Sequence, residues 1–306
     1  MDRQAPLLPG SEAGRTHAFA AALTRHGPTG AVIVSFRELV LGFYRVHGRR
    51  MPWRETTDPY RILVSEVMLQ QTRVERVLPR YVTFIDAFPT VVALADAPVS
   101  RVLAAWQGLG YNRRALALRA AAARIVTVYG GRIPDDPSEL VTLPGVGPAT
   151  AAAVAVYAFN RPEVFIETNV RRVFLHCFFP GRDRVRDAEL LPLVRMALDR
   201  DRPREWYWAL MDYGTHLART MPNPNRRSAH HAVQGRFEGS RRQLRGRVLA
   251  ALLSAGPLTL DELAASTGAG PDRTGPVLAG LVVEGFIAED GPFYRIRDGP
   301  ATDQLK

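Results

Sequence analysis

Two glutamates stand where a carboxylate could act on a substrate. Glu66 lies in a helical pattern running from Pro59 to about Gln71, opened by Asp58-Pro59, a cap followed by proline in the first turn. Its neighbours on the helix face are Ile62 at i−4, Leu69 at i+3 and Gln70 at i+4. A carboxyl on a largely apolar face is desolvated and keeps its proton towards neutrality, which suits a general acid. A solvated glutamate at the edge of a surface helix is the plainer account of the same pattern. Glu167 closes the run Val164-Phe165-Ile166, just before a helix that starts near Asn169. The apolar run implies a buried approach, but capping and compensation of the helix dipole are the commoner reason for an acid at such a place.

Two glycine-bearing turns accompany these acids. Leu143-Pro144-Gly145-Val146-Gly147 lies between two helical patterns, with Pro148 opening the second. Glycines let the backbone approach a ligand, and the free amides of the next helix suit an anion such as a phosphate. A bare Gly-x-Gly more often marks a plain turn between packed helices. Tyr111 follows Gly108-Leu109-Gly110. An aromatic at the tip of such a loop can insert between bases, or it can simply pack the next helix. Arg113 and Arg114 beside it suit phosphate contact. His176, His216, His230 and His231 match no usual zinc spacing, and a metal site is not expected.

The elements that must carry these residues read as helices. Phe36–His47, with Ser35 as N-cap, places Phe36, Leu39, Val40, Phe43 and Tyr44 at helical spacing. Further helical patterns cover 74–88, 99–106, 112–129, 138–142, 148–159, 169–177, 187–199 and 205–219, punctuated by Gly and Pro. No run alternates strictly in this body. Residues 220–243 read as a loop, and three helical patterns from Leu244 precede a strand–turn–strand over Phe286–Ile296. Three helices and a hairpin in about fifty residues is a winged-helix pattern. The reading is thus an all-α chain. It has a tail at 1–31, a body at 32–219, a loop at 220–243, a winged-helix-like module at 244–297 and a tail at 298–306.

Composition narrows the chemistry. The 306 residues carry a formal charge of +10. From Arg247 onward there are 5 basic and 8 acidic residues, net −3, so the first 246 residues hold +13. That distribution points to a polyanion-binding body with an accessory module. The single cysteine, Cys177, excludes an internal disulfide and a four-thiolate iron–sulfur cluster. The single lysine, Lys306, leaves no core lysine for Schiff-base chemistry. There is neither a long apolar run nor a signal-peptide pattern, so the expectation is a cytoplasmic, nucleoid-associated protein with no membrane partner.

In their order along the chain, several segments resemble the helix–hairpin–helix DNA glycosylases, and within them the adenine branch. They are Met51-Pro52-Trp53-Arg54, Ser65-Glu66-Val67-Met68-Leu69-Gln70-Gln71-Thr72, Trp106-Gln107-Gly108-Leu109-Gly110-Tyr111, the Leu143–Gly147 turn, Asn169-Val170-Arg171-Arg172-Val173 and Ala209-Leu210-Met211-Asp212-Tyr213-Gly214. The resemblance implies a two-lobed glycosylase body acting on double-stranded DNA with a mismatched or damaged base. Glu66 falls at the family's general acid and Glu167 at the carboxylate that stabilises the cationic sugar. Gln70, Gln71, Tyr111 and Arg54 fall at the base pocket and the wedge. Leu143, Gly145, Val146 and Gly147 form the phosphate-binding hairpin.

Three departures carry consequences. Glu167 stands where the family has aspartate, one methylene shorter. Ala149 stands where lyase members carry their Schiff-base lysine, so a monofunctional glycosylase is expected. The four cluster cysteines would fall near Ala218, Asn225, Ser228 and Gln234, so no iron–sulfur cofactor is expected. The best substrate expectation is adenine opposite guanine or 8-oxoguanine. Thymine or uracil opposite guanine, or a non-catalytic DNA-binding regulator, are the alternatives. The acidic module is expected to pack on the body or to contact a protein.

Overall fold

The computed structural model describes residues 12–231 and 235–299. In chain order the helices are α1 Glu12–His26, α2 Gly30–His47, α3 Pro59–Leu69, α4 Val74–Ala87, α5 Val91–Ala95, α6 Val99–Trp106, α7 Arg113–Tyr129, α8 Pro137–Leu140, α9 Pro148–Phe159, α10 Thr168–Phe178, α11 Asp187–Ala197 and α12 Pro203–Thr220. They continue with α13 Arg241–Ala255, α14 Leu260–Thr267 and α15 Pro271–Val283. Short 3-10 turns occupy Pro52–Arg54 and Pro224–Arg227. Strands among the described residues are confined to β1 Leu258–Thr259, β2 Ile287–Asp290 and β3 Phe293–Ile296. No described helix is long and apolar enough to cross a membrane.

The chain divides into two compact units, one of residues 1–51 and 152–233, the other of 52–151 and 234–306. In the first, α2 buries Phe36, Leu39, Val40 and Phe43 of the expected stripe together with Val32 and Ile33, while Tyr44 is half-buried. Phe36 is at its centre, with ring centroids 5.0 Å from Phe178, 5.2 Å from Phe174 and 5.8 Å from Trp206. Full burial of one such side chain contributes about 1.5–3 kcal/mol. Helix α12 packs on α10 and α2. Gly214 makes that approach possible, because a Cβ there would lie 2.7 Å from the Asn169 Cβ and 2.8 Å from its carbonyl oxygen.

The second unit packs α3 on α4 and α5 on α7, with Phe84, Phe88 and Trp106 fully buried in edge-to-face contacts. Its C-terminal portion is the expected module of three helices and a hairpin. The hairpin gains a third strand, giving the antiparallel order β1-β3-β2 with Leu258 opposite Tyr294 and Ile287 opposite Ile296. Leu249, Leu252, Leu263, Leu278, Leu281 and Phe286 form its core.

Several expectations need correction. Helix α2 begins at Gly30, and Ser35 lies inside it rather than capping it. Val32 and Ile33 extend the buried stripe by a turn, and that burial outweighs the local cap. Residues 1–31 are not all tail, since 12–26 form α1, whose buried Phe19 meets Phe36 and Phe178. Residues 1–11 lie outside the described residues. The five-residue α5 was too short to show a period; Thr90 caps it by accepting from the Ala93 amide at 3.1 Å. Within 220–243 a 3-10 turn forms, and α13 starts at Arg241, capped by Ser240. In the tail after 297, Asp298 is held by Ser100, and 300–306 lie outside the described residues.

Candidate functional site

In the second unit, α3 carries Glu66. Its start is fixed by Asp58, whose carboxylate accepts from the amides of Tyr60 at 2.9 Å and Arg61 at 3.4 Å. Ile62, Leu63, Val64, Val67 and Met68 are buried around Glu66, which is itself half-buried. Arg54 is in the 3-10 turn that packs against this helix. At the C-cap of α3, the Gln70 side chain donates through Nε2 to the Gly145 carbonyl at 3.2 Å and to Thr150 Oγ1 at 3.1 Å. The end of α3 is therefore tied to the hairpin.

The hairpin has the shape the glycines suggest. Gly145 sits at φ +76°, and a Cβ there would lie 2.7 Å from the Ala117 Cβ of α7. Its turn closes with the Val146 amide donating to Leu143 at 3.1 Å. Leu143 and Val146 are buried anchors. Gly145, Gly147, Pro148 and Ala149 are exposed at the start of α9, where helix amides lack intrahelical acceptors.

Gln71 and Tyr111 share an unusual backbone. Among the described residues four non-glycines have positive φ, and these are two of them, at +53° and +48°. Each such conformation costs about 1–3 kcal/mol and persists only where the surroundings impose it. Gln71 is exposed, and Tyr111 is 38% exposed.

Arg114 lies between the two turns that carry them. Its Nη1 donates to the carbonyls of Val67 at 2.9 Å, Met68 at 2.9 Å and Gln70 at 2.5 Å. Its Nη2 donates to Thr72 Oγ1 at 2.9 Å and the Gly110 carbonyl at 3.0 Å. The guanidinium faces the Trp106 ring at 5.4 Å and the Tyr111 ring at 5.5 Å. Burial pulls its pKa down to about 10, which leaves it cationic at neutral pH. Arg114 thus serves the open carbonyls at the end of α3 and joins the turn of Gln71 to the turn of Tyr111. The expectation that it contacts phosphate is corrected: it is turned inward, drawn by acceptors that a helix end leaves unpaired. Arg113, the other arginine of the pair, lies 3.7 Å from Glu284 of the C-terminal module.

Glu167 belongs to the first unit. It is the N-cap of α10, its Oε1 accepting from the amides of Asn169 at 2.5 Å and Val170 at 2.8 Å. The capping reading of this acid is therefore realised. Burial raises its carboxyl above the ordinary range, opposed by those two amides and by the charges of Arg172 and Arg171. Arg172 Nη1 donates to Asn169 Oδ1 at 2.6 Å and to the Gly214 carbonyl at 2.9 Å. Arg171 forms a forked pair with Asp187 at 2.7 and 2.6 Å. Buried Asp212 accepts from the Arg49 backbone amide at 2.8 Å and its Nε at 2.7 Å. Sequence spacing singled out neither Arg172 nor Arg49 as a site residue, because Arg172 reaches Gly214 and Arg49 reaches Asp212, partners distant in the chain.

At the positions aligned with cluster cysteines, Asn225 and Ser228 are buried and Ala218 is exposed; Gln234 lies outside the described residues. The Asn225 side chain donates to the Thr168 carbonyl at 3.0 Å, and Ser228 Oγ accepts from the His230 amide at 3.0 Å. Arg227 donates to the carbonyls of Phe179 and, at 3.0 Å, Leu175. This hydroxyl, amide and guanidinium set does not fit an iron–sulfur cluster, which thiolates hold. Cys177 is buried, and burial pushes its thiol pKa up. His216 packs against Phe43 and Tyr213.

The geometry meets independent likenesses. The sequence profile described as HhH-GPD superfamily base excision DNA repair protein matches residues 64–191. That span holds Glu66, Gln70, Gln71, Tyr111, the hairpin and Glu167. The adenine DNA glycosylase of Mycolicibacterium smegmatis is 34% identical over 282 residues, covering 85% of this chain and 96% of that protein. The adenine DNA glycosylase of Buchnera aphidicola subsp. Baizongia pistaciae is 35% identical over 144 residues, covering 47% of this chain and 41% of that protein. The match thus spans less than half the length of the Buchnera protein. A solved structure of a thermostable thymine-DNA glycosylase aligns with a TM-score of 0.53 at 28% identity, over 60% of this chain and 85% of that one. The chain belongs to the HhH-GPD superfamily of base excision DNA repair proteins. Within it, proteins named adenine DNA glycosylase are relatives that extend over most of the chain.

Proposed function

We propose that this protein is a monofunctional DNA glycosylase that removes adenine paired with guanine or 8-oxoguanine. The carrying observation is the 34% identity to an adenine DNA glycosylase along 96% of that protein's length. In this reading Tyr111 and Gln71 wedge the duplex, the hairpin and its helix amides take a backbone phosphate, and the target base leaves the stack at a cost of a few kcal/mol. Glu66 donates a proton to the departing base as the bond to the sugar C1′ breaks. Glu167 stabilises the positive charge on the sugar, and water adds to C1′ and releases a proton to solvent, leaving an abasic site and free base. No cofactor is needed for these steps, and the Asn225–Ser228 segment takes the place of a cluster. The partner is double-stranded DNA.

A second reading, thymine or uracil opposite guanine, is favoured by the structural likeness to a thymine-DNA glycosylase. The deciding experiment is single-turnover base release from A:8-oxoguanine, A:G, T:G, U:G and matched duplexes. The expected result is release from the adenine mismatches, reduced about 10²–10⁴-fold by Glu66→Gln, the range for general acid catalysis. Release only from T:G or U:G would favour the second reading. Release undiminished by Glu66→Gln would remove that residue from its role, and no release from any duplex would favour a non-catalytic DNA-binding protein.

A further inference from the structure

The C-terminal module grips a single short stretch of the helical body at three points. At the start of α6, the Asp298 carboxylate accepts from the Ser100 amide at 2.7 Å and from its hydroxyl at 2.8 Å. At the turn after α6, Arg242 Nη1 donates to the Tyr111 hydroxyl at 3.3 Å, while its Nη2 donates to the Gly235 carbonyl at 2.8 Å. At the start of α7, Glu284 faces Arg113 at 3.7 Å and is itself held by a forked pair from Arg245 at 2.5 and 2.8 Å. Helix α13 packs on α6 between these points. The three gripping residues come from the segment after β3, the first turn of α13 and the C-cap of α15. Only the folded module places them together.

The surfaces with which winged helices ordinarily read DNA are poorly equipped here. The only charged residues of α15 are Asp272 and Arg273, and Arg273 donates to the Gly239 carbonyl at 2.9 Å. The wing carries Glu289 and Asp290, and Arg295 there lies 3.6 Å from Asp290. An acidic wing repels the phosphate backbone.

We propose that the winged-helix-like module is a positioning element that holds the α6–Tyr111–α7 segment in its left-handed turn before DNA is engaged, acting on DNA through Tyr111 and not by contact of its own. This rests on the reading of Tyr111 as the wedge. The left-handed backbone of Tyr111 needs outside support. Arg114 supplies it from within the body, and the module supplies it from the opposite chain terminus.

The test uses the full-length protein and the substrate duplex found by the base-release panel, with 2-aminopurine beside the target base to report its extrusion. Arg242→Ala and Asp298→Asn are each expected to slow extrusion about tenfold. Both should leave the slope of log Kd against log salt unchanged, because no phosphate contact is lost. Arg242→Ala and Tyr111→Phe should be non-additive, since both remove one hydrogen bond. A salt slope made shallower by Arg242→Ala would overturn the proposal in favour of direct phosphate contact. Unchanged extrusion in both module variants, with Tyr111→Ala still slowing it, would overturn the positioning role alone. Unchanged extrusion in Tyr111→Ala would overturn the wedge reading and this proposal with it.

Discussion

Glu167 has two demands on one carboxylate. It caps α10 through two backbone amides, and in the proposed reaction its charge faces a sugar cation. Both need the ionised form, yet burial raises its pKa above the ordinary value of 4.5. An acid that must be ionised to act loses activity as pH falls through its raised pKa. The single-turnover rate should therefore drop on the acid side at a pH above 4.5, and a limb at the ordinary glutamate value would argue against Glu167 as the acting group. The stability sign is opposite: the folded state holds the proton more tightly, so this residue's contribution is lost as pH rises through the same window. Gly214 bears on the same corner. Gly214→Ala places a methyl 2.7–2.8 Å from Asn169, and such overpacking costs about 1–3 kcal/mol. Urea unfolding should show that loss, and an unchanged midpoint would show that α12 yields without strain. The sequence made Glu167 visible as a helix-start acid; it left Gly214 as one motif position, because its use depends on how closely two helices approach.

Among the elements, the helices of the body were largely legible because their apolar spacing is regular. Helix α6 occupies 99–106 and α9 148–159, the limits their patterns give. What escaped was short or supported from afar, such as α5 with five residues and α1 with a single buried aromatic, Phe19. The link between elements matters more for the site. Arg114 ties the end of α3 to the turn before α7, beside the two positive-φ residues Gln71 and Tyr111. Arg114→Met keeps much of the buried stem but leaves several carbonyls unserved, a loss of at least about 2 kcal/mol. Thermal or urea unfolding checks that figure. If Gln71 and Tyr111 wedge the duplex as proposed, DNA binding by the same variant should weaken at fixed salt, and full-strength binding would separate the Arg114 clip from that role.

For the whole molecule, composition is a mechanistic statement. With one lysine, at position 306, no described residue can form a Schiff base through a lysine amine. Borohydride reduction during reaction should trap no covalent adduct within residues 12–299, as peptide mapping of the product would read. An adduct there would contradict hydrolysis by water. The uneven charge has a structural counterpart. The body holds the positive excess, while Glu284 of the module and Asp298 just after it contact the body itself.

The sequence by itself determined the helical body, the winged-helix-like module, the candidate acids and the hairpin. These follow from periodicity, turn residues and short-range motifs, which are local properties of the chain. It also carries the expectation of no lysine-dependent lyase step and no four-thiolate cluster, because the chain has one lysine, Lys306, and one cysteine, and folding cannot add residues. Only the tertiary structure decided which way Arg114 turns, that residues 12–26 join a core, and that the module grips the turn of Tyr111. Each depends on acceptors or apolar surface left open by distant segments. An arginine reads the same in the sequence whether its nearest unpaired oxygens are to be phosphates or helix-end carbonyls, and the folded chain supplies the carbonyls.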